Sequence, residues 1–169
     1  AVGLFSHAGV YTMWLKRKTP FSVIPGGVSG GMPVLAGRAL GTGSIDLVGV
    51  LLALSVLLWI PIHILTFAMR YAEDYRAANI PTFPAVFGEG LTRLVLSLST
   101  VLAGMAMLFA VYLNGVQGAF LVALSVAVIL LIVLAVFCSL FPSAKRNFLL
   151  FKAASLYMLA SMLLVGLAG

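Results

Sequence analysis

Apolar blocks too long to be surface helices of a soluble protein dominate this chain. Phe21–Leu40, Ile45–Tyr71, Leu91–Leu113, Ala119–Phe141 and Phe148–Leu167 each run about 20 residues or more, and a shorter one ends at Trp14. Roughly 20 apolar residues in a helix cross the hydrocarbon of a bilayer. Only helices or closed barrels satisfy their backbone there. Blocks of this length predict helices. Charged residues make up 8% of the 169, against about 25% in a soluble domain. The expected fold is therefore all-α, a polytopic transmembrane helical bundle. It has five complete spans plus an N-terminal helix stub.

The charges between blocks set an expected orientation. Of the 10 Lys and Arg residues, nine fall at one set of block ends, and only Arg38 falls at the other. By the positive-inside rule the loops around Lys16, Asp74 and Lys145 are cytoplasmic. The formal charge of +6 thus reads as a topology signal. It forms no basic stripe and predicts no nucleic acid partner. Cys138 lies alone within an apolar block, so it forms no internal disulfide and reads as a small core residue.

Polar groups collect at one mouth. His63, Arg70 and Asp74 stand seven and four residues apart, which on one continuous helix places them on a single face. Trp59 and Phe67 flank that face. Charge inside hydrocarbon costs roughly 2.5–3.5 kcal/mol even on the lenient insertion scale, so such a stripe predicts a polar cavity. Glu73 and Asp74 are hard oxygen donors of the type Mg²⁺ takes beside substrate phosphates. Arg70 and Arg76 suit phosphate oxygens. A solvated helix end, with Arg70–Asp74 or Glu73–Arg76 ion pairs, accounts for the same residues. His63 reads either as a core histidine bonded to a neighbouring helix or as a ligand contact. Lys16-Arg17-Lys18 is a second cationic cluster, or ordinary charge beside lipid headgroups. Pro25-Gly26-Gly27-Val28-Ser29-Gly30-Gly31-Met32-Pro33 suits a kinked helix around a cavity, or tight helix packing.

Four motifs in order carry a resemblance that covers essentially the whole chain. They are Tyr11-Thr-Met-Trp-Leu-Lys-Arg-Lys-Thr-Pro20, Gly26-Gly-Val-Ser-Gly-Gly-Met-Pro33, Trp59-Ile-Pro-Ile-His63 and Glu73-Asp-Tyr-Arg-Ala-Ala-Asn-Ile-Pro81. The chain resembles the UbiA-type intramembrane prenyltransferases, and among them the branch that farnesylates haem. That resemblance implies a nine-helix protein of two pseudo-repeats around a central cavity. Residues 1–169 would be the C-terminal part of that single domain, in a prokaryotic inner membrane. The missing N-terminal half would hold a first acidic motif, Asn-x-x-x-Asp-x-x-x-Asp, and the chain alone would be inactive. The implied reaction joins farnesyl, from farnesyl diphosphate, to a vinyl group of haem b, with Mg²⁺ assisting the diphosphate.

The resemblance implies roles as well. Glu73 and Asp74 match the second acidic motif as metal ligands, with Arg70 beside them in the catalytic set. Lys16, Arg17 and Arg76 bind diphosphate. His63 and Trp59 contact haem b, which is a substrate here and not a cofactor. Arg70 stands where quinone-modifying relatives carry an Asp, which favours the haem branch. Other acceptors of the same family are the nearest alternative. The Pro of Trp-Ile-Pro-Ile-His is shifted, which leaves the haem contact open. A transporter or scaffold half is the alternative of another class. It would spread polar residues over several spans, and the last three spans here are nearly devoid of them.

Overall fold

A computed structural model of the chain describes residues 18–168 together with Leu4, Phe5 and Gly9. Lys16, Arg17 and most of the N-terminal stub lie outside the described residues. All the described secondary structure is helical. After a 3-10 turn at Pro20–Ser22 come α1 (Val23–Thr42), α2 (Leu47–Arg70), α3 (Ala72–Ala77), α4 (Phe83–Leu113), α5 (Ala119–Leu140) and α6 (Ala144–Ala168). Local chemistry sets the ends. Asp46 caps α2 by accepting the Gly49 N–H at 2.8 Å. Pro84 sits in the first turn of α4, where its missing N–H costs nothing. Pro142 follows α5 and prevents its continuation.

Four helices, α2, α4, α5 and α6, are long and apolar enough to cross a membrane. The fifth expected span, α1, has the length at 20 residues, but its glycines, prolines and Arg38 dilute its apolar character. The outward faces carry large apolar side chains. On α4, Leu94, Leu98, Leu102, Met105 and Phe109 are all exposed at three- and four-residue spacing, a stripe suited to lipid. The core lies where α2 packs along α4 and α1, with α6 closing against α2, α4 and α5. Ile62, Met107, Val111 and Leu150 are fully buried there. Cys138 is buried as expected, its thiol directed at the Arg146 carbonyl.

The glycine-rich segment is one continuous helix, and its glycines serve packing. A Cβ at Gly31 would lie 2.7 Å from the Ala53 carbonyl oxygen, and one at Gly27 would lie 3.3 Å from that of Leu57. Small residues let two backbones approach this closely. The interruptions fall elsewhere. Within α4, Gly88 adopts φ 79°, ψ 163°, a conformation open only to glycine. This turn joins Phe83–Phe87 to the block whose start the sequence put at Leu91. Between α2 and α3, Tyr71 adopts φ −109°, ψ 33°. The single continuous face expected from His63 to Asp74 therefore ends at Tyr71, because the helical phase is lost there.

At the end away from Arg70, one guanidinium ties three helices together. Arg38 on α1 donates to Asp46 Oδ2 from Nε (3.1 Å) and Nη2 (2.8 Å), and to Asn114 Oδ1 at the end of α4 (2.6 Å). The Arg38 hydrogen bond, followed by the Gly49 N–H, holds the Asp46 carboxyl below its ordinary range. Every other described Lys, Arg, Asp and Glu belongs to the opposite end, which carries α3 and the start of α6.

Gly31→Ala is expected to destabilise the protein by ~1–3 kcal/mol, because the clash is with backbone that cannot swing aside. Gly37→Ala, on the same helix with nothing near its missing Cβ, is expected to be neutral or stabilising by up to ~1 kcal/mol. Thermal melts of the two variants in one detergent check the contrast. Equal behaviour would remove the close α1–α2 approach.

Candidate active site

One face of α2 carries an aromatic ladder at four-residue spacing. The Trp59 and His63 rings lie 5.4 Å apart, His63 and Phe67 5.0 Å, and Phe67 and Tyr71 6.0 Å in a stacked pair. Side chains four apart on a helix stand one above another, so the ladder is a local consequence of the sequence. Helix α6 supplies the facing ring. Phe151 lies 5.2 Å from His63 and 5.5 Å from Phe67. The ladder leads from the membrane-spanning part of α2 to its C-terminal end, where α3 begins.

A cavity of about 560 Å³ opens there, lined by His63, Phe67, Tyr71, Asp74, Tyr75 and Ile80. Chain reversal builds its outer wall. Ile80 N–H bonds the Tyr75 carbonyl at 3.0 Å, and Asn79 takes a left-handed φ of 52°, which Asn tolerates better than most residues. The expected meeting of His63 and Asp74 at one space is thus observed, by way of a break and a turn. Trp59 contacts His63 but is not part of the lining of that space. In this membrane-spanning segment the His63 Nδ1 and the Trp59 Nε1 are buried with no hydrogen-bond partner. A polar atom left so costs ~1–3 kcal/mol. A hydrogen bond from His63 Nδ1 to a neighbouring helix, the core alternative, is not formed.

Glu73, Asp74 and Arg76 are exposed on α3. Neither ion pair of the solvated-helix alternative forms. Among the described residues the ion pairs are Arg38–Asp46 and Arg93–Glu89. The two α3 carboxylates are therefore available to a ligand. They suit Mg²⁺ in part. The ion commonly takes one or two carboxylates and completes its shell with water and phosphate oxygens. Among the described residues, no cluster of three or more His, Cys, Asp or Glu could hold a metal alone. Only Asp74 lines the cavity. Glu73, one residue earlier, points about 100° away around the helix.

Arg70 goes elsewhere. Its guanidinium carbon lies 4.7 Å over the Phe148 ring and 5.8 Å over Tyr71. With Thr66, Met69, Glu89, Arg93 and Asn147 it lines a second cavity. The sequence reading missed this partition because the partners come from α4 and α6, far along the chain. It also missed Tyr71 as a cavity aromatic, although the four-residue repeat Trp59, His63, Phe67, Tyr71 was visible, and Phe151 as the ring that faces the ladder.

The profile of the UbiA prenyltransferase family matches residues 1–165. The protoheme IX farnesyltransferase of Pyrobaculum neutrophilum is 40% identical over 129 residues, 75% of this chain and 46% of its own. That of Desulforudis audaxviator is 37% identical over 159 residues, 92% of this chain and 49% of its own. That of Archaeoglobus fulgidus is 51% identical over 86 residues, 51% of this chain and 30% of its own. The chain spans about half the length of the first two of these relatives. No solved structure matches it.

Because His63 Nδ1 has no partner to lose, His63→Phe is expected to melt at the same temperature as the parent or higher. A fall of roughly 4 °C, worth about 1 kcal/mol or more in a chain of this size, would show that the imidazole holds a structural hydrogen bond.

Proposed function

The chain belongs to the UbiA prenyltransferase family, and we propose that it forms the wall and mouth of a cavity in which a farnesyl group passes from farnesyl diphosphate to a vinyl group of haem b. One observation carries this reading. The Asp74 carboxylate at the helix break and the His63, Phe67 and Tyr71 rings of the ladder line the same space. The names of the similar proteins supply the donor group and the acceptor.

The chemistry asks for two environments in contact. The allylic C–O bond of the diphosphate breaks with both electrons leaving on oxygen, so negative charge develops at the mouth. The vinyl π pair then closes a C–C bond to the farnesyl cation. Water oxygen adds to the cation left beside the macrocycle and releases a proton. Asp74 would hold Mg²⁺ at the cavity, with Glu73 adding negative charge beside it, and the charge of the ion would stabilise the leaving diphosphate. Arg76, Lys16 and Arg17 add donors for its oxygens. Arg70 adds positive potential from behind the Tyr71 ring. The faces of Tyr71 and Phe67 favour a neighbouring cation and keep water from it. His63, which lines the cavity, would contact the haem, with Trp59 packed against it from deeper in α2.

The positive-inside asymmetry supports a cytoplasmic mouth. An Ala77→Cys variant in intact cells is expected to resist an impermeant external thiol reagent and to react once the membrane is opened. Labelling from outside would reverse the orientation.

Membranes carrying the encoded polypeptide, supplied with farnesyl diphosphate, Mg²⁺ and haem b, are expected to yield a haem heavier by farnesyl plus hydroxyl. Prenylation of a quinone instead, with haem untouched, would assign another acceptor. In that assay Asp74→Asn is expected to lower turnover ~100-fold or more. His63→Ala is expected to raise KM for haem while leaving the dependence on diphosphate and Mg²⁺ nearly unchanged. Near-normal turnover of Asp74→Asn would reduce Asp74 to a helix-end charge.

A further inference from the structure

The second cavity lies on the other side of the α2 C-terminus, between α2, α4 and α6, and has a volume of about 350 Å³. That is roughly ten times the share of one molecule in liquid water, about 30 Å³. Its polar lining is rich in donors. Arg70, Arg93, Asn147 and Thr66 face it, and Glu89 is its one acid. Glu89 is already bonded to Arg93 at 2.7 Å. Two arginines against one glutamate leave an excess of one positive charge.

Independent observations point to an absent partner. Thr66 is 3% exposed, and its hydroxyl has no hydrogen bond. The other buried helix threonines, Thr92 and Thr100, each donate at 2.8 Å to the carbonyl four residues back. Asn147 is 7% exposed, and its amide nitrogen reaches only the Met69 sulfur at 3.9 Å, a poor acceptor. Ser143 and Ala144, also in the lining, open the 25-residue helix α6. Its first helical bond runs from the Asn147 N–H to the Ser143 carbonyl. The N–H groups of the preceding turn therefore add to the positive end of the helix.

We propose that this cavity binds a phosphate group, carried by an anionic lipid or free as diphosphate. The proposal does not rest on the prenyl-transfer reading. A phosphate presents several acceptor oxygens in a tetrahedral array. It can take a guanidinium fork, a hydroxyl and an amide together, and each of those donors is present here. A carboxylate offers only two oxygens and a halide one centre. The site lies where the spans end, at the level of lipid headgroups.

The test uses the purified protein in detergent with two probes, phosphatidic acid followed by native mass spectrometry and millimolar diphosphate followed by melting. Diacylglycerol, which lacks the phosphate, is the control for the first. Phosphatidic acid is expected to stay bound and diacylglycerol to be lost. Thr66→Val and Arg93→Gln are expected to weaken retention by roughly five-fold or more. Thr66→Ser, which restores the hydroxyl, and Gly37→Ala, on α1 outside both cavities, are expected to retain it. If Thr66 and Arg93 govern only the diphosphate melting shift, the phosphate comes from solution. If they govern only lipid retention, it comes from the membrane. Either result supports the site. Should Thr66→Val not fold, Arg93→Gln decides alone. The proposal is overturned if neither probe binds, if a folded Arg93→Gln variant binds both as the parent does, or if only Asp74→Asn abolishes binding. The cavity would then hold water only.

Discussion

Hydrocarbon offers a polar atom nothing to bond, and most of this structure follows from how its polar atoms meet that condition. Buried hydroxyls return to their own helix, as Thr100 does to the Leu96 carbonyl and Ser161 to that of Tyr157. Others cross to a neighbour. The Tyr157 hydroxyl donates to the Gly104 carbonyl at 3.1 Å, and Ser97 to that of Ala135 at 3.1 Å. Arg38 binds Asp46 and the Asn114 Oδ1 where three helices end. Against that background an unpartnered atom is informative. Of the five residues that carry one among the described residues, His63 and Thr66 line the two cavities at the opposite end, and the others are Trp59, Asn114 and Arg146.

The same condition explains what could be read in the sequence. Block length and charge placement report directly on a bilayer, so the helical class and the location of polar residues at one mouth were legible. The ladder on α2 was legible too, because four-residue spacing is a local property of one helix. Positions that depend on where a helix stops were not. Nothing in Arg70-Tyr71-Ala72 announces that the phase slips at Tyr71, and that slip sends Arg70 and Asp74 to different cavities. The break at Gly88 hid in the same way, since a lone glycine reads as packing as readily as a turn. The glycines of α1 show the converse. Their density suited a kink and tight packing alike, and the backbone of α2 at Ala53 and Leu57 reveals that they serve contact. The partners that make a second cavity, Arg93 and Asn147, lie too far along the chain for spacing to relate them to Thr66.

The break at Tyr71 also explains how two adjacent acids stand without ion pairs. On a continuous α2 they would extend its C-terminal end, where the helix dipole is negative and repels carboxylates. Starting a new helix at Ala72 places Glu73 and Asp74 in a first turn instead, where free N–H groups and the positive end favour negative charge. That interaction is worth about 0.3–1 kcal/mol per acid, comparable to the ~0–1 kcal/mol of an exposed ion pair. No arginine pairs with them among the described residues, so their oxygens stay available to an incoming cation. Arg70, released from pairing with Asp74, sits at the C-terminal end of α2, where a cation is favoured, and stacks on Phe148. One slip of helical phase therefore separates acid from base across a single aromatic ring. It leaves a carboxylate-edged cavity and a guanidinium-edged cavity side by side at one mouth, each with charge that its own helix end stabilises.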